Sequence, residues 1–316
     1  MDGYARFAWA ALVLTLFVIL WGAFVRATGS GAGCGSHWPL CNGEVLPHSA
    51  AQATMIEFTH RVTSGLALLA VLGLWWGARK RFSRSEPVRR AAWWSLFFMV
   101  TEAMIGAGLV LLEYVADDTR VVRGFWVAGH LLNTFLLVAA QTACAAWASG
   151  ASALELRNRG GLVLALAAAL GGFLLLGVSG AVTALGDTLF PAATFAEAKA
   201  QTFSETAHLF VRLRIWHPTM ALLVGLLVVG ATLFAALSRP TVEVKRAAGF
   251  LAALYVLELL VGLWNMWWLA PVWLQLVHLL LADLIWINFI LLALAVLARE
   301  APEIDLAHPQ PLESTP

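Results

Sequence analysis

Four histidines lie inside long apolar stretches of this 316-residue chain, in which 60% of residues are hydrophobic and only 12% are charged. They are His60, His130, His217 and His278. An ionisable side chain in a stretch long enough to cross a bilayer is costly, so it is a functional candidate by default. An imidazole there can hydrogen-bond to a neighbouring helix, bind zinc or copper, or ligate heme iron. These residues are the first candidates for chemistry.

The stretches around these histidines predict membrane helices. A hydrocarbon core about 30 Å thick needs about 20 apolar residues per helix, and the sequence contains eight such runs. They are approximately 7–25, 57–78, 91–112, 124–147, 160–182, 211–237, 247–269 and 272–298. The last two form one continuous run that proline should break at Ala270-Pro271. We predict an all-α polytopic membrane protein with eight transmembrane helices, and the composition excludes an ordinary soluble domain.

Basic residues predict the orientation. With the N-terminus in the cytoplasm, 13 of the 20 Lys and Arg residues lie on the cytoplasmic side and 7 on the outer side. The positive-inside rule therefore favours cytoplasmic N- and C-termini in a multi-pass protein of the cell membrane. A net charge of +1 excludes nucleic-acid binding as a primary role. Residues 301–316, rich in proline, are predicted to be a disordered cytoplasmic tail.

The two halves of the chain share polar landmarks at a nearly constant offset. The pairs are Gly22 with Gly177, His60 with His217, Glu102 with Glu258, Gly106 with Gly262, and His130 with His278. Because four helices are an even number, both halves enter the membrane from the same side. We predict two pseudo-repeated four-helix bundles, residues 1–150 and 151–300.

In this topology the four histidines share one depth near the outer face, within the first two turns of the even-numbered helices. One metal site built by all four is possible. The repeat instead favours two pairs, His60 with His130 and His217 with His278. One histidine from each of two facing helices is the arrangement that ligates heme iron from both sides. The sequence therefore favours two heme sites towards the outer face of the lipid bilayer.

The two predicted sites differ in their acidic residues. Glu57 lies three residues before His60, hence on the same helix face, and would point towards the first heme pocket. At the corresponding position before His217 stands Arg214. Alternatively, Glu57 is a carboxylate near a helix N-terminus that reaches water. The acid marks the first half as the reactive one.

Arginines near the outer boundary could bind heme propionates, or could be interfacial residues whose charged ends reach water. They are Arg26, Arg61, Arg123, Arg212 and Arg214. Cys34 and Cys41 lie in the first outer loop, where an oxidising exterior permits a disulfide. A redox-active cysteine pair facing the heme pocket is the alternative.

These residues together resemble the heme A synthase family. The matching segments are GAFVRATGSG (22–31), CGSHWPLCNG (34–43), EFTHR (57–61), HLLNT (130–134), GDTLFPA (186–192), RIWHP (214–218) and HLLLAD (278–283). They occur in order through the transmembrane region. The resemblance implies oxidation of a ring methyl of heme O, through hydroxylated intermediates, to the formyl group of heme A for cytochrome c oxidase assembly.

The resemblance also implies roles for individual residues. Glu57 matches the catalytic acid, His60 and His130 the substrate-heme ligands, His217 and His278 the ligands of a heme b cofactor, and Cys34 and Cys41 an outer-loop disulfide. A second cysteine pair that some members carry in the third outer loop is absent. Expected partners are heme O as substrate, heme O synthase as its donor and an electron acceptor of unknown identity.

Two functions of other classes stay open. A bis-histidine transmembrane b-type cytochrome would hold two unmodified hemes, with histidines at two depths so that electrons cross the bilayer. A heme transporter or chaperone would hold exchangeable hemes and form no modified product.

Overall fold

The computed structural model describes residues 1–48 and 51–299, and the predicted tail, 301–316, lies outside the described residues. Ten α-helices form in the described part: α1 (Gly3–Ala27), α2 (Gln52–Arg81), α3 (Pro87–Leu111), α4 (Val121–Ala148), α5 (Gly160–Leu189), α6 (Phe195–Thr202), α7 (Leu209–Arg212), α8 (Trp216–Ser238), α9 (Val242–Trp267) and α10 (Val272–Val296). Short 3₁₀ turns cover Ser30–Ala32 and Leu213–Ile215. The second turn joins α7 to α8, so that Leu209–Ser238 is one continuous span.

Eight helical spans in the described part are long and apolar enough to cross a membrane, namely α1 to α5, α7 with α8, α9 and α10. This confirms the eight predicted helices. Several spans begin earlier than the apolar runs, since polar first turns can bond to a loop; in α2, Thr54 donates to the Gly33 carbonyl. The four histidines therefore follow the first residues of their spans by six to nine positions, or about 9 to 14 Å of helix.

The predicted break between the last two helices is confirmed at Pro271. α9 ends at Trp267 and α10 begins at Val272. Leu269 and Ala270 adopt φ angles of 59° and 54°, which reverse the chain. Pro271, which has no N–H group to leave unpaired, precedes the first turn of α10.

The first four helices form a closed ring. α1 packs on α2, α2 on α3, α3 on α4, and α4 on α1. In the second set α5 packs on α8, α8 on α9, and α9 on α10, whereas α5 and α10 make few contacts. α4 fills this gap because it packs on both α5 and α10. It is accordingly the most buried of the eight spans.

An aromatic cluster fixes α4 against the second set of helices. The Phe135 and Trp286 ring centroids lie 5.2 Å apart, and Phe173 of α5 lies 6.0 Å from Trp286. The Trp286 indole N–H donates to the Phe135 carbonyl at 2.8 Å. Phe135 follows His130, and Trp286 follows His278, on the same helices. The cluster therefore sets the relative placement of two of the candidate histidines.

Candidate functional site

His217 of α8 and His278 of α10 face each other. Their ring centroids lie 6.2 Å apart and their planes are nearly perpendicular, at 85°. Two imidazole nitrogens about 2 Å from one iron, on opposite faces of a macrocycle, place the ring centroids about 6 Å apart. The second histidine pair therefore has the separation that a heme iron requires.

Glycines of the neighbouring helices make room for these two rings. A Cβ atom at Gly180 of α5 would lie 2.9 Å from Cε1 of His217, and one at Gly262 of α9 would lie 3.0 Å from Cε1 of His278. Any other residue would displace the imidazoles. Gly180, rather than the Gly177 selected by the sequence offset, is the glycine that contacts His217, while Gly177 faces Phe135.

The Nδ1 atoms of the second pair are held by polar side chains. His278 Nδ1 lies 3.0 Å from Glu258 Oε1, and His217 Nδ1 lies 3.0 Å from Ser179 Oγ. Because the Ser179 hydroxyl donates its proton to the Leu176 carbonyl, its oxygen accepts from His217. A histidine ligand commonly donates one ring N–H to such a group and binds metal through the other nitrogen. Both imidazoles thus leave Nε2 for a metal.

The first pair shares part of this pattern. A Cβ at Gly22 of α1 would lie 2.9 Å from the His60 ring, and one at Gly106 of α3 would lie 4.0 Å from the His130 ring. His130 Nδ1 lies 3.2 Å from Glu102 Oε1. The Nδ1 atom of His60, in contrast, is buried and has neither a hydrogen bond nor a carboxylate contact among the described residues.

Glu102 is itself held in place by α4. The Asn133 side-chain amide donates to Glu102 Oε2 at 2.6 Å, and the Thr134 hydroxyl donates to Oε1. Thr101 donates in turn to the Asn133 side-chain carbonyl at 2.6 Å. This network links α3 to α4 beside His130. Glu258 of the second pair has a buried Oε2 atom with no hydrogen-bond partner in the described chain.

The arrangement distinguishes between the metal sites that the sequence left open. Within residues 1–48 and 51–299, no three His, Cys, Asp or Glu side chains converge as a group that could hold a metal ion. A single site built by all four histidines is therefore not formed. The facing imidazoles, the glycines beside them and the polar side chains next to the Nδ1 atoms fit iron held in a flat macrocycle.

Glu57 is buried, with 2% of its surface exposed, so it does not reach water. Its Oε1 atom pairs with the Arg61 guanidinium at 2.5 Å. Its Oε2 atom accepts the Cys34 backbone N–H at 2.8 Å. The carboxylate is thus held by the outer loop and by its own helix, three residues before His60.

The loop above α2 contains the Cys34–Cys41 disulfide. Arg61 donates to the carbonyls of His37 and Leu40, both at 2.6 Å. Gly33 lies so close to α2 that a Cβ there would collide with the Ala53 backbone. Together with the Glu57 contact, these interactions fix the loop on the first turns of α2.

Two of the arginines considered for propionates contact the second set of helices. Arg26 of α1 donates to the Thr188 hydroxyl at 2.6 Å and to the Gln275 side-chain carbonyl at 2.8 Å. It therefore connects α1 to α5 and α10. Arg214 pairs with Asp187 of α5 at 2.8 Å. These contacts hold the outer ends of the helices together.

The remaining arginines differ in whether their guanidinium N–H groups already have partners. Arg61 is occupied by Glu57 and the loop, as described above. Arg123 is buried and donates to the carbonyls of Ala116 and Asp118, both at 2.7 Å, but its Nε atom has no partner in the described chain. Arg212 is exposed, and no hydrogen bond joins its side chain to a described residue. Arg123 and Arg212 thus keep donors for an anionic ligand.

Sequence reasoning missed the positions of Glu102, Glu258 and Ser179 beside the histidines. The two glutamates served only as landmarks of the repeat. Their location in apolar spans was itself a signal, because intramembrane carboxylates are rare and usually functional. Ser179 carried no such signal, since serine often bonds within its own helix.

The fold and the site define a multi-pass membrane protein whose paired intramembrane histidines suit a heme. The family model described as cytochrome oxidase assembly protein, COX15-CtaA, matches residues 5–290. The chain belongs to this family.

The relatives of this chain differ in the identity and in the length of the matched region. A protein of Thermus thermophilus, named protoheme IX farnesyltransferase, is 49% identical over 304 residues, which are 96% of this chain and 50% of that protein. The chain thus spans half the length of this relative. The heme A synthase of Staphylococcus haemolyticus is 44% identical over 103 residues, or 33% of this chain and 34% of that protein. That of Alkalihalophilus pseudofirmus is 40% identical over 98 residues, or 30% and 32%.

Proposed function

We propose that this chain is a heme A synthase, an oxidoreductase that converts a ring methyl of heme O into the formyl group of heme A for cytochrome c oxidase. The observation that carries the proposal is the inequality of the two histidine pairs. Only the first has a buried carboxylate, Glu57, three residues before a histidine. A protein that merely held two equivalent hemes would have no use for this difference.

In the first half, residues 1–150, His60 and His130 would hold the substrate iron. The methyl group that reacts lies on the ring periphery, so histidines on the iron do not block it. Their role is to fix the ring so that one methyl stays beside the acid. Glu57 would stabilise positive charge that develops at that carbon, or would transfer its proton. Arg61 keeps this carboxylate in position.

In the second half, residues 151–300, His217 and His278 would hold a heme b cofactor. When bound, this heme would supply one-electron redox chemistry. Ser179 and Glu258 would orient its ligands, since each has an oxygen 3.0 Å from one of the two Nδ1 atoms. Arg212 of this half and Arg123 of the first half have unused donors that suit propionates. We place both sites towards the outer face of the cell membrane, with both termini in the cytoplasm.

The Thermus relative supports a partner for this activity. Its name is that of a farnesyltransferase acting on protoheme IX, and half of its length lies outside the match to this chain. We propose that the unmatched half carries the farnesyl transfer, and that the present chain receives heme O from a separate heme O synthase. Co-purification of the two proteins from membranes tests this contact.

Heme analysis tests the enzymatic function. The chain is expressed with a heme O supply, and the extracted hemes are separated by chromatography. We expect hydroxylated and formyl products from the wild type. Unmodified hemes alone would identify an electron carrier or a transporter and would contradict the proposal.

The role of Glu57 is tested in the same assay with Glu57→Gln. Glutamine keeps an acceptor for the Cys34 N–H but removes the charge, so we expect heme binding to persist while product formation falls at least a hundredfold, as for other lost electrostatic contacts in active sites. Glu44→Gln is the matched control in the outer loop that Glu57 contacts, where a hydrogen bond from His48 lowers the pKa of an exposed carboxyl group. Unchanged conversion by Glu57→Gln would contradict the assigned role.

A further inference from the structure

A groove of about 330 Å³ lies where α2 ends and α3 begins, at the opposite ends of these helices from His60 and Glu102. The proposed function does not use it. Four arginines and three tryptophans line it: Trp75, Arg79, Arg84, Arg89, Arg90, Trp93 and Trp94.

The groove is strongly positive. In the described chain, none of its four arginines forms an ion pair with a carboxylate within 4 Å. Arg89 and Arg90 lie in the first turn of α3, where the helix dipole adds positive potential. Glu86, just before α3, accepts the Ser83 backbone N–H at 2.7 Å. The unpaired positive charges in the groove therefore favour binding of an anion.

The guanidinium groups are placed to bind that anion. Arg79 stacks on the Trp75 ring, with its central carbon 4.7 Å from the ring centroid. A stacked guanidinium keeps its in-plane N–H groups available, and these bind phosphate oxygens in pairs. Arg84 and Arg90 are exposed at the groove. Phosphate chemistry suits such a planar, forked donor set best.

The groove continues onto an apolar surface that runs along α3. Trp93 stacks on Phe97 and Trp94 stacks on Phe98, with centroid distances of 5.7 and 5.6 Å. Trp93, Trp94 and Phe97 are each more than 40% exposed, on a helix that can span the membrane. A lipid could place an acyl chain along these rings and its headgroup among the arginines. A free phosphate ion would leave that surface uncovered.

We propose that this groove binds the phosphate headgroup of an anionic phospholipid, with the acyl chains against α3. Topological charge bias explains an excess of arginine in this loop, but it does not explain why four arginines and three tryptophans meet in one groove. The corresponding loop of the second half differs, because Arg239 donates to the carbonyls of Ala295 and Ala298 instead. The site is therefore specific to the α2–α3 connection.

Native mass spectrometry of the full chain in detergent tests the proposal with dioleoyl phosphatidylglycerol, dioleoyl phosphatidylcholine and inorganic phosphate as probes. We expect phosphatidylglycerol to be retained in preference to phosphatidylcholine, and Arg84→Gln with Arg90→Gln to reduce that retention about tenfold or more, since each basic residue near a lipid surface contributes measurably. Arg6→Gln with Arg157→Gln removes the same charge at exposed positions outside the groove and is the matched control. Circular dichroism and gel filtration confirm that both double variants remain folded.

Three results would overturn the lipid site. Equal loss of phosphatidylglycerol from the two double variants would show a general charge effect. Equal retention of the two lipids by the wild type would show no headgroup recognition. Displacement of the lipid by millimolar inorganic phosphate would show a site for free anions. Because none of these measurements involves heme, their failure does not bear on the proposed enzymatic function.

Discussion

The two histidine pairs are held in different ways. In the second pair both Nδ1 atoms lie 3.0 Å from a side-chain oxygen, that of Ser179 for His217 and that of Glu258 for His278. In the first pair the Nδ1 atom of His130 lies 3.2 Å from Glu102 Oε1, while that of His60 has neither a hydrogen bond nor a carboxylate contact in the described chain. A cofactor that stays in place benefits from two fixed ligands. A substrate that must enter and leave is better served by one ligand that is less constrained.

The surroundings of the two pairs extend this contrast. Above the first pair, Glu57 and Arg61 bind the disulfide-containing loop. At the equivalent end of the second pair, Arg214 binds Asp187 on a neighbouring helix instead. The first pair thus has an acid that connects it to a loop, whereas the second has an acid that connects two helices. This difference is what the proposed function requires, with reaction at the first site and retention of a cofactor at the second.

Removal of one proposed iron ligand from each site should produce the largest difference. We expect His278→Ala to lower the resident heme content of the purified protein at least tenfold, since a fixed two-ligand site depends on both histidines. His130→Ala should leave that resident heme in place and abolish product formation. Heme-to-protein ratios and chromatography of the extracted hemes measure both effects. Equal loss of resident heme from the two variants would remove the distinction between the sites.

Glu258 and Glu102, the carboxylates beside His278 and His130, should each affect only the site to which they belong. Glu258→Gln removes a negative charge 3.0 Å from His278 Nδ1, which weakens the ligand and destabilises ferric iron. The reduction potential of the second heme should therefore rise by about 60 mV, equivalent to a tenfold change in an equilibrium constant for one electron. Glu102→Gln is the matched change in the first half and should leave that potential unaltered. Spectroelectrochemical titration measures this potential. An equal shift in both variants would contradict the claim that the two sites are independent.

The disulfide should stabilise the first half alone. Closing a loop between Cys34 and Cys41 is worth about 2.5 kcal/mol on a chain-entropy basis. We expect Cys34→Ser with Cys41→Ser to increase proteolysis of this loop and to lower thermal stability, while the heme of the second half is retained. Cys144→Ser, at the free buried cysteine, is the control for loss of a thiol. Loss of the second-half heme from the double variant would show that the loop supports both sites.

Local features of the sequence were sufficient for the spans and the Pro271 break. Span length follows from hydropathy, and proline acts on its own helix. The position of Glu102 beside His130 depends on how α3 and α4 face each other, which one sequence does not specify. The same limit explains Gly180: it lies nearly one turn from Gly177, so a constant offset could not decide which glycine meets His217. The packing of α4 on both sets of helices is likewise a tertiary property.

The smallest expected effect concerns Ser179, the uncharged side chain that contacts His217 in the second histidine pair. Ser179→Ala removes the acceptor for His217 Nδ1 while leaving the helix intact. A neutral hydrogen bond is worth about half of a charged one, so we expect the potential of the second heme to rise by about 30 mV. Ser64→Ala is the control, because that hydroxyl bonds to the His60 backbone carbonyl and not to its ring. If Ser179→Ala shifts the potential no more than Ser64→Ala does, then only His278 is held by its surroundings, and the two pairs each have a single constrained ligand.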